Sequence, residues 1–431
     1  MNKAHLRWRL GRINGRQLYD VALQNELDKL AEAKAVVYNY RKSSLTVGVT
    51  SVSLDPSGQF LLGSGEDGSV GLWALDENYI ENTLVDKRIQ FARGESKEAT
   101  GDDTGKSNSR THIVARRPVN VSGPYRHQPQ KFYASIQSSA STPSPFPHET
   151  YHAFSISTVK WYDTDNGLFF TGSNDRKVKI WDTNTFQVAS SLDVAHRVSQ
   201  LDTKGDLIAI ATEDSHPRLI DLRSMSATIS LGVKRVDMKS GINTAKFSRD
   251  KSTTAQLMAT GDNDGNVRIW DLRKSNRALC DLTEPDSMSK AHARCCNDIC
   301  WNPTGDFELV TTGNDGKNKL WSLDGENRSY VVRQLGATDL MANRFRHRTS
   351  QYLMWEGPYV FCNSDHGEVV VYEGRTGRQL HTYQYPLGVG HRKTTPRFSC
   401  MALQTRLSNS IGVRLILGTD HTHGKILEYR S

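Results

Sequence analysis

One short pattern recurs seven times along the chain and limits the folds that it can adopt. In each copy a short apolar run leads to an aspartate, and a large hydrophobic residue follows six positions later. The seven aspartates are Asp67, Asp175, Asp214, Asp264, Asp315, Asp365 and Asp420. After the first interval, successive aspartates are 39, 50, 51, 50 and 55 residues apart. A recurrence of this length is typical of a repeat architecture.

Each copy predicts two strands joined by a tight turn. The apolar run before the aspartate predicts a buried strand, and the Asp-x-Gly or Asn-Asp-Gly sequence predicts the turn. The next strand alternates, as in Val267, Ile269 and Trp270, and its large residue is expected to pack between neighbouring sheets. A further strand precedes each pair. Four short antiparallel strands in every 40–50 residues describe a propeller blade, so we predict an all-β, seven-bladed WD-repeat β-propeller.

The ends of the chain predict how the ring closes. The last copy reaches Tyr429-Arg430 and leaves no room for an outer strand, whereas residues 35–40 have strand character. We therefore place the propeller at residues 35–431, with residues 35–40 closing it and removing the open sheet edges. The seven aspartates are expected to be structural, as members of buried hydrogen-bonded networks.

Residues 1–34 do not fit a blade. Apolar residues recur at helical spacing, and the pattern is interrupted between Gly11 and Gly15, which predicts a helix-loop-helix. The apolar positions that we single out are Leu6, Trp8, Leu23, Leu27 and Leu30. Besides a role in binding a partner, two interpretations of this segment stay open: the apolar stripe packs on the propeller itself, or the arginine-rich start is a mitochondrial presequence.

A polar segment explains the long first interval of the repeat. Residues 85–130 are rich in Gly, Ser and charged residues, which predicts a flexible insertion in the first blade. Strand character resumes at residues 131–136. The insertion is therefore expected to interrupt the outer hairpin of that blade.

The composition and the remaining motifs favour no catalytic chemistry. The chain has 431 residues, a net charge of +8 and no apolar run near the roughly 20 residues of a membrane span. Its six cysteines form no disulfide framework. The Gly101–Ser107 segment is one residue short of a phosphate loop, and Asp420–His423 is expected to be a surface turn rather than a metal site. We expect no catalytic site, no metal, no cofactor and no membrane contact.

The motif Trp270-Asp271-Leu272-Arg273 is more informative. It ends the third strand of a blade, where an arginine lies near the rim of one propeller face. A guanidinium presents a planar fork that suits carboxylates or backbone carbonyls of a partner. The alternative is an ion pair within the blade, between Arg273 and Asp271 or a neighbouring turn.

A second basic motif allows direct contact with nucleic acid. Arg344, Arg346 and Arg348 alternate with Phe345 and His347, so that on a strand the arginines would form one row. The alternative is a solvated strand face.

The motifs together resemble a known family. A Trp-Asp-x-Arg motif in a WD propeller that follows a helix-loop-helix is similar to the substrate receptors of the cullin-four RING ubiquitin ligases. The stretches that carry the resemblance are 157–162, 179–187, 258–273, 291–321 and 324–327. The likeness runs from about residue 16 to 431, apart from the insertion. The last three blades depart from Trp-Asp, since they have Trp321-Ser322, Val371-Tyr372 and Ile426-Leu427.

The resemblance implies a function that the repeat alone does not. In that family both elements face a triple-propeller adaptor, damaged-DNA-binding protein one, which links the receptor to the ligase. The implied adaptor contacts are Leu6, Trp8, Leu23, Leu27, Leu30, Trp270, Asp271 and Arg273. The expected role is in transcription-coupled nucleotide excision repair in the nucleus, with stalled-transcription repair factors as substrates. DNA binding and a generic WD scaffold in another nuclear complex stay as alternatives.

Overall fold

The computed structural model describes most of the chain in separate stretches. They are residues 7–9, 12, 14–33, 35–39, 47–75, 120–122, 151–224, 228–232, 238–249, 256–274, 276–284, 290–304, 307–323, 329–335, 353–364, 367–384, 397–407, 410–420 and 424–431. Within them, no helix is long and apolar enough to cross a membrane.

The described residues begin with helical structure and one short strand. Residues 7–9 are helical, helix α1 spans Gly15–Glu32, and strand β1 spans Val36–Asn39. Asn14 caps α1: its side-chain oxygen accepts from the Gln17 N–H at 2.8 Å, and the Gln17 side chain accepts from the Asn14 N–H at 3.0 Å. This reciprocal capping box fixes the start of the helix.

Seven four-stranded antiparallel sheets follow, and each is one blade. Blades 1–3 contain β2 (Val49–Leu54), β3 (Phe60–Gly65), β4 (Val70–Ala74) and β5 (Asn120–Ser122); β6 (Ile156–Trp161), β7 (Leu168–Ser173), β8 (Lys177–Asp182) and β9 (Gln187–Asp193); β10 (Val198–Lys204), β11 (Leu207–Thr212), β12 (Arg218–Asp221) and β13 (Thr228–Ser230).

Blades 4–7 continue the series in chain order. They contain β14 (Ile242–Phe247), β15 (Leu257–Asp262), β16 (Val267–Asp271) and β17 (Cys280–Asp281); β18 (Cys296–Trp301), β19 (Glu308–Gly313), β20 (Asn318–Leu323) and β21 (Ser329–Leu335); β22 (Leu353–Glu356), β23 (Tyr359–Ser364), β24 (Glu368–Glu373) and β25 (Gln379–Gln384); β26 (Phe398–Leu407), β27 (Ser410–Thr419) and β28 (Lys425–Arg430).

The blades form a closed ring, as the sequence predicts. The first strands of successive blades contact one another, from β2 and β6 around to β22 and β26, and β26 contacts β2. Strand β1 is the fourth strand of blade 7: it pairs with β28, with Val36 opposite Glu428 and Asn39 opposite Lys425. The seven-bladed WD-repeat propeller is therefore confirmed.

Large side chains of the third strands fill the spaces between blades. Trp73, Trp181, Trp270 and Trp321 are at most 1% exposed. Each packs in a cluster that also contains residues of the preceding blade. Glycine is needed beside one of them, because a Cβ at Gly71 would lie 2.6 Å from the Trp73 ring.

The structure corrects the position of the insertion. The fourth strand of blade 1 is β5, which pairs with β4 and lies inside the stretch 85–130 that we expected to interrupt the hairpin. Gly/Ser-rich composition predicts irregular structure but does not exclude a three-residue edge strand. The other expected strand, residues 131–136, lies outside the described residues.

The closing strand generates a stability prediction. The Tyr38 ring is fully buried in the cluster between blades 7 and 1, and its hydroxyl donates to Glu428. Tyr38→Ala is expected to lower the free energy of unfolding by about 3–5 kcal/mol. Tyr38→Phe keeps the ring, and Glu428 keeps its ion pair with Arg414, so about 1 kcal/mol is expected. Urea denaturation followed by tryptophan fluorescence checks both values, and equal losses would contradict the packing role of the ring.

Candidate partner-binding surfaces

The antiparallel path of each blade divides the loops between two faces. Turns between the first and second strands and between the third and fourth strands lie on one face, which we call the lower face. Turns between the second and third strands, and loops that lead to the next blade, lie on the opposite, upper face. The six repeat aspartates that the structure describes belong to upper-face turns, and Arg273 belongs to a lower-face turn.

In blades 2 and 5 the repeat aspartate anchors a buried network. Asp175 lies 2.8 Å from Nδ1 of His152, whose Nε2 lies 2.6 Å from the Thr171 hydroxyl. The Trp181 indole N–H donates to the same hydroxyl at 2.8 Å. Blade 5 repeats the arrangement with Asp315, His292, Thr311 and Trp321. These contacts join loop, turn and strand within the blade, so both aspartates are structural.

The charges of the blade 5 network follow from burial and hydrogen bonding. Burial alone raises the pKa of Asp315, but the hydrogen bond and charge of His292, together with the N–H groups of Ala293 and Lys317, lower it to about 2. Burial lowers the pKa of His292, and Asp315 partly opposes this shift. The carboxylate is therefore ionised at neutral pH and accepts hydrogen bonds from the loop and turn.

The other repeat aspartates differ from this network. Asp214 accepts from the Arg218 guanidinium at 2.8 Å, and Asp67 accepts from the Ser69 N–H at 3.1 Å. Asp420 lies 3.5 Å from the Arg397 N–H. Asp365 lies outside the described residues.

In blade 4 the expected role of Asp264 is wrong. Its side chain is exposed, and the buried Asp262, two residues earlier, instead accepts from Asn266 and from Arg268 at 2.7 Å. The buried Arg268 is the partner of this carboxylate, so in blade 4 the paired acid lies in the strand and not in the turn.

The Trp-Asp-x-Arg motif separates into two buried residues, Trp270 and Asp271, and one exposed arginine. Trp270 is fully buried, and its N–H donates to Thr260 at 2.8 Å, which corrects its expected contact with a partner. The Arg273 Nε and NH2 groups donate to the two oxygens of Asp271 at 2.9 and 2.7 Å. The Arg273 side chain is nevertheless 59% exposed. The ion pair within the blade therefore exists, and it orients a guanidinium that remains accessible.

Blade 3 carries a second copy of this pair, which our sequence analysis missed. Arg223 Nε and NH2 donate to the two oxygens of Asp221 at 3.0 and 2.8 Å, and the Arg223 side chain is 73% exposed. In both blades the arginine's hydrogen bonds lower the pKa of the aspartate. The signal was the repeated Asp-Leu-Arg. It was overlooked because Ile220 stands where the motif has tryptophan.

Helix α1 buries the leucines that the resemblance implies as adaptor contacts. Leu23, Leu27 and Leu30 are at most 1% exposed and pack with residues of blades 6 and 7. The apolar stripe thus covers the chain's own propeller, and these residues are corrected to core positions. Trp8 is 44% exposed, and Leu6 lies outside the described residues.

The first half of α1 lies on the lower face. The Tyr19 hydroxyl donates to Glu356 at 3.1 Å and lies 3.2 Å from the Thr405 hydroxyl. Glu356 ends the first strand of blade 6 and Thr405 is near the end of the first strand of blade 7, so both mark the lower face. Tyr19, Arg223 and Arg273 therefore belong to the same side of the molecule.

The remaining candidates give no further site. Arg344, Arg346 and Arg348 lie outside the described residues, as do Gly101–Ser107 and residues 421–423. In the described stretches, no group of three or more His, Cys, Asp or Glu side chains is arranged to hold a metal ion.

Comparison with known proteins agrees with the fold. Residues 37–74, 147–182, 235–271 and 285–322 match the family model "WD domain, G-beta repeat". Radiation-sensitive protein 28 of Saccharomyces cerevisiae is 32% identical, over 96% of this chain and 97% of its own length. WD repeat-containing protein ATCSA-1 of Arabidopsis thaliana is 36% identical over 30% of this chain and 28% of its own length. Histone-binding protein MSI1 of Saccharomyces cerevisiae is 23% identical over 42% and 44% of the two chains.

The closed ring and its matching repeats define a WD-repeat propeller protein. Within that class, the similarity to Radiation-sensitive protein 28 extends over nearly the whole of both chains. The chain belongs to the Cockayne syndrome A family, which Radiation-sensitive protein 28 represents in yeast.

The two kinds of repeat aspartate generate a matched prediction. Asp175→Ala removes the partner of the buried His152 and of the Ala153 N–H, so a loss of about 2 kcal/mol or more in the free energy of unfolding is expected. Asp264→Ala changes an exposed side chain at the same repeat position and should alter it by less than about 0.5 kcal/mol. Chemical denaturation of both variants measures the difference. An equal loss of unfolding free energy in the two variants would show that the buried network does not stabilise the blade.

Proposed function

We propose that the chain is the substrate receptor of a cullin-four RING ubiquitin ligase, acting in transcription-coupled nucleotide excision repair in the nucleus. Its lower face docks the triple-propeller adaptor, damaged-DNA-binding protein one. Its upper face holds stalled-transcription repair factors for ubiquitination. The two exposed arginines that Asp221 and Asp271 hold on adjacent blades are the observation that carries the docking step.

The paired arginines have the chemistry that such a docking surface needs. Each aspartate holds its guanidinium by two hydrogen bonds, so less side-chain entropy is lost when a partner binds. The two pairs follow the third strands of blades 3 and 4, which places them at equivalent positions on neighbouring blades. Donor groups held in this way suit carboxylates and backbone carbonyls of a protein partner.

Family membership supports the wider setting. The relationship to Radiation-sensitive protein 28 indicates a WD-repeat protein of DNA repair, and the propeller indicates a non-catalytic receptor or scaffold. In this role the chain supplies effective concentration, because it holds a substrate beside a ligase that performs the chemistry.

The arginine pairs generate the main functional prediction. Replacing Arg223 and Arg273 together by Ala is expected to weaken binding of the purified adaptor about tenfold or more, because both oriented donors are lost. The double variant Arg176→Ala/Arg294→Ala removes two exposed arginines of the upper face and should bind like the wild type. Surface plasmon resonance measures both, and wild-type affinity in the Arg223/Arg273 variant would refute the docking surface.

The N-terminal segment is best tested by substitution, since deleting it would uncover the leucine-lined core. Trp8→Ala changes an exposed side chain and should weaken adaptor binding about tenfold while leaving the thermal midpoint unchanged. Leu27→Ala should instead lower the free energy of unfolding by about 2–5 kcal/mol. A Trp8 variant with unaltered adaptor affinity would remove this segment from the interface.

A further inference from the structure

The upper face has a small polar cavity at the mouth of the central channel. It lies at the upper ends of the first strands of blades 3, 4 and 5 and has a volume of about 70 Å³. Its polar lining includes Asn174, Arg197, Glu213, Asn243, Asn263 and Asn297. Because this volume well exceeds the roughly 10–15 Å³ that one water molecule needs on the same measure, the cavity admits one short side chain of a ligand.

The repeat itself places three of these side chains. Asn174, Glu213 and Asn263 each directly precede a repeat aspartate. Their backbone N–H groups donate to carbonyls of the adjacent upper loops, namely those of Ser155, Arg197 and Gly241, at 3.0, 3.1 and 3.0 Å. The backbone is thereby fixed by the fold, while the side chains line the cavity. The repeat therefore fixes the backbone of the site, and the side chains of the residues that precede the repeat aspartates provide its polar groups.

Amide side chains dominate the cavity. Each asparagine amide offers both donors and an acceptor, which matches a peptide group, since a peptide group also has one donor and one acceptor. The Asn243 side chain donates to the Cys296 carbonyl at 3.0 Å, so it already pairs with backbone in this way. A phosphate backbone has no N–H donor for the asparagine oxygens, whereas a peptide group has one. The lining therefore favours a polypeptide over a nucleic acid.

Charge on the upper face indicates the kind of polypeptide. On the described upper-face loops of blades 2–5 and the strand ends that lead into them, four exposed acids, Asp193, Glu213, Asp264 and Asp281, stand against six exposed cations. The cations are Arg176, Arg197, Lys239, Lys290, Arg294 and Lys317. Arg197 and Glu213 approach to 3.7 Å, and this exposed pair is weak. The excess of cations attracts an acidic segment.

An exposed aromatic ring lies on the same face. Phe154 is 63% exposed, the largest value among the large hydrophobic residues that the structure describes. Its backbone is held, because the Ser173 hydroxyl donates to the Phe154 carbonyl at 3.1 Å. A ring presented from a fixed backbone is the kind of residue that anchors protein interfaces.

We propose that the cavity, the cations of the upper-face loops and Phe154 bind an extended, acidic polypeptide segment of the protein that this receptor presents. One short side chain of the segment enters the cavity, its peptide groups pair with the asparagine amides, and an apolar residue packs on Phe154. The proposal deepens the proposed function and rests on it only for the identity of the bound protein as a substrate.

Fluorescence anisotropy with model peptides tests the proposal on the full chain. The probe is a labelled 12-residue peptide of alternating Glu and Thr, and its matched forms replace Glu by Gln or by Lys. The acidic peptide is expected to bind at least tenfold more tightly than either. Reversing Arg197, Arg294 and Lys317 to Glu should weaken it tenfold or more. A second labelled peptide, with one central Leu, tests the role of Phe154. The Phe154→Ala variant is expected to bind this peptide severalfold more weakly than the wild type does. The control variant Phe307→Ala, which changes an exposed Phe of the lower face, should bind it as the wild type does.

A matched charge reversal separates this site from the adaptor surface. Arg223→Glu/Arg273→Glu/Lys274→Glu should lose the adaptor and keep the acidic peptide, and the upper-face triple variant should do the reverse. If both variants still bind the adaptor and only the upper-face variant loses the peptide, the proposed function is rejected, but the peptide site is retained. The proposal is overturned if the chain shows no preference for the acidic peptide. It is also overturned if a 20-base-pair DNA duplex binds in place of the peptide and the upper-face variant no longer binds that duplex.

Discussion

The pairing of β1 with β28 is the contact on which the rest of the structure depends. It joins the beginning of the chain to its end, so the ring closes only when residues 36–39 lie against residues 425–428. Closure covers an edge that would otherwise be open and buries Tyr38 between blades 7 and 1. It also brings α1, which ends four residues before β1, against blades 6 and 7. The lower-face position of the first half of α1 is thus a consequence of closure.

A closed ring of antiparallel blades gives two faces of different construction. On the upper face, networks such as Asp175–His152 hold turns to neighbouring loops, and the residue before the aspartate is left to line the channel. On the lower face, Asp221 and Asp271 hold exposed guanidinium groups. Each face therefore presents side chains whose positions are fixed by framework contacts, which is how a rigid scaffold prepares for binding.

The sequence predicts the fold better than it predicts the site. Seven aspartates in register and the terminal strand residues suffice for the blade number and the closure, because both follow from local strand and turn patterns. Helical spacing identified Leu23, Leu27 and Leu30 as one apolar stripe, but periodicity does not tell whether the stripe is covered by the same chain or by a partner.

The site predictions failed where a different residue occupies the expected position or makes the expected hydrogen bonds. Arg223 was missed because Ile220 replaces the expected tryptophan, although the Asp-Leu-Arg geometry is the same. Asp264 was misassigned because Asp262 accepts the hydrogen bonds of blade 4. The exposure of Phe154 depends on long-range packing, and no local pattern reports it. Such features are visible only when the blades are assembled.

In the function that we propose, the lower face docks the adaptor while the upper face stays free for a substrate. Hydrogen–deuterium exchange of the chain, alone and with the purified adaptor, distinguishes the two faces. With the adaptor bound, exchange is expected to slow at residues 7–9, 14–21, 222–224 and 272–274 and to stay unchanged at residues 174–177 and 263–266. Slower exchange at the upper-face residues, with none at the lower-face ones, would rule out this assignment of the faces.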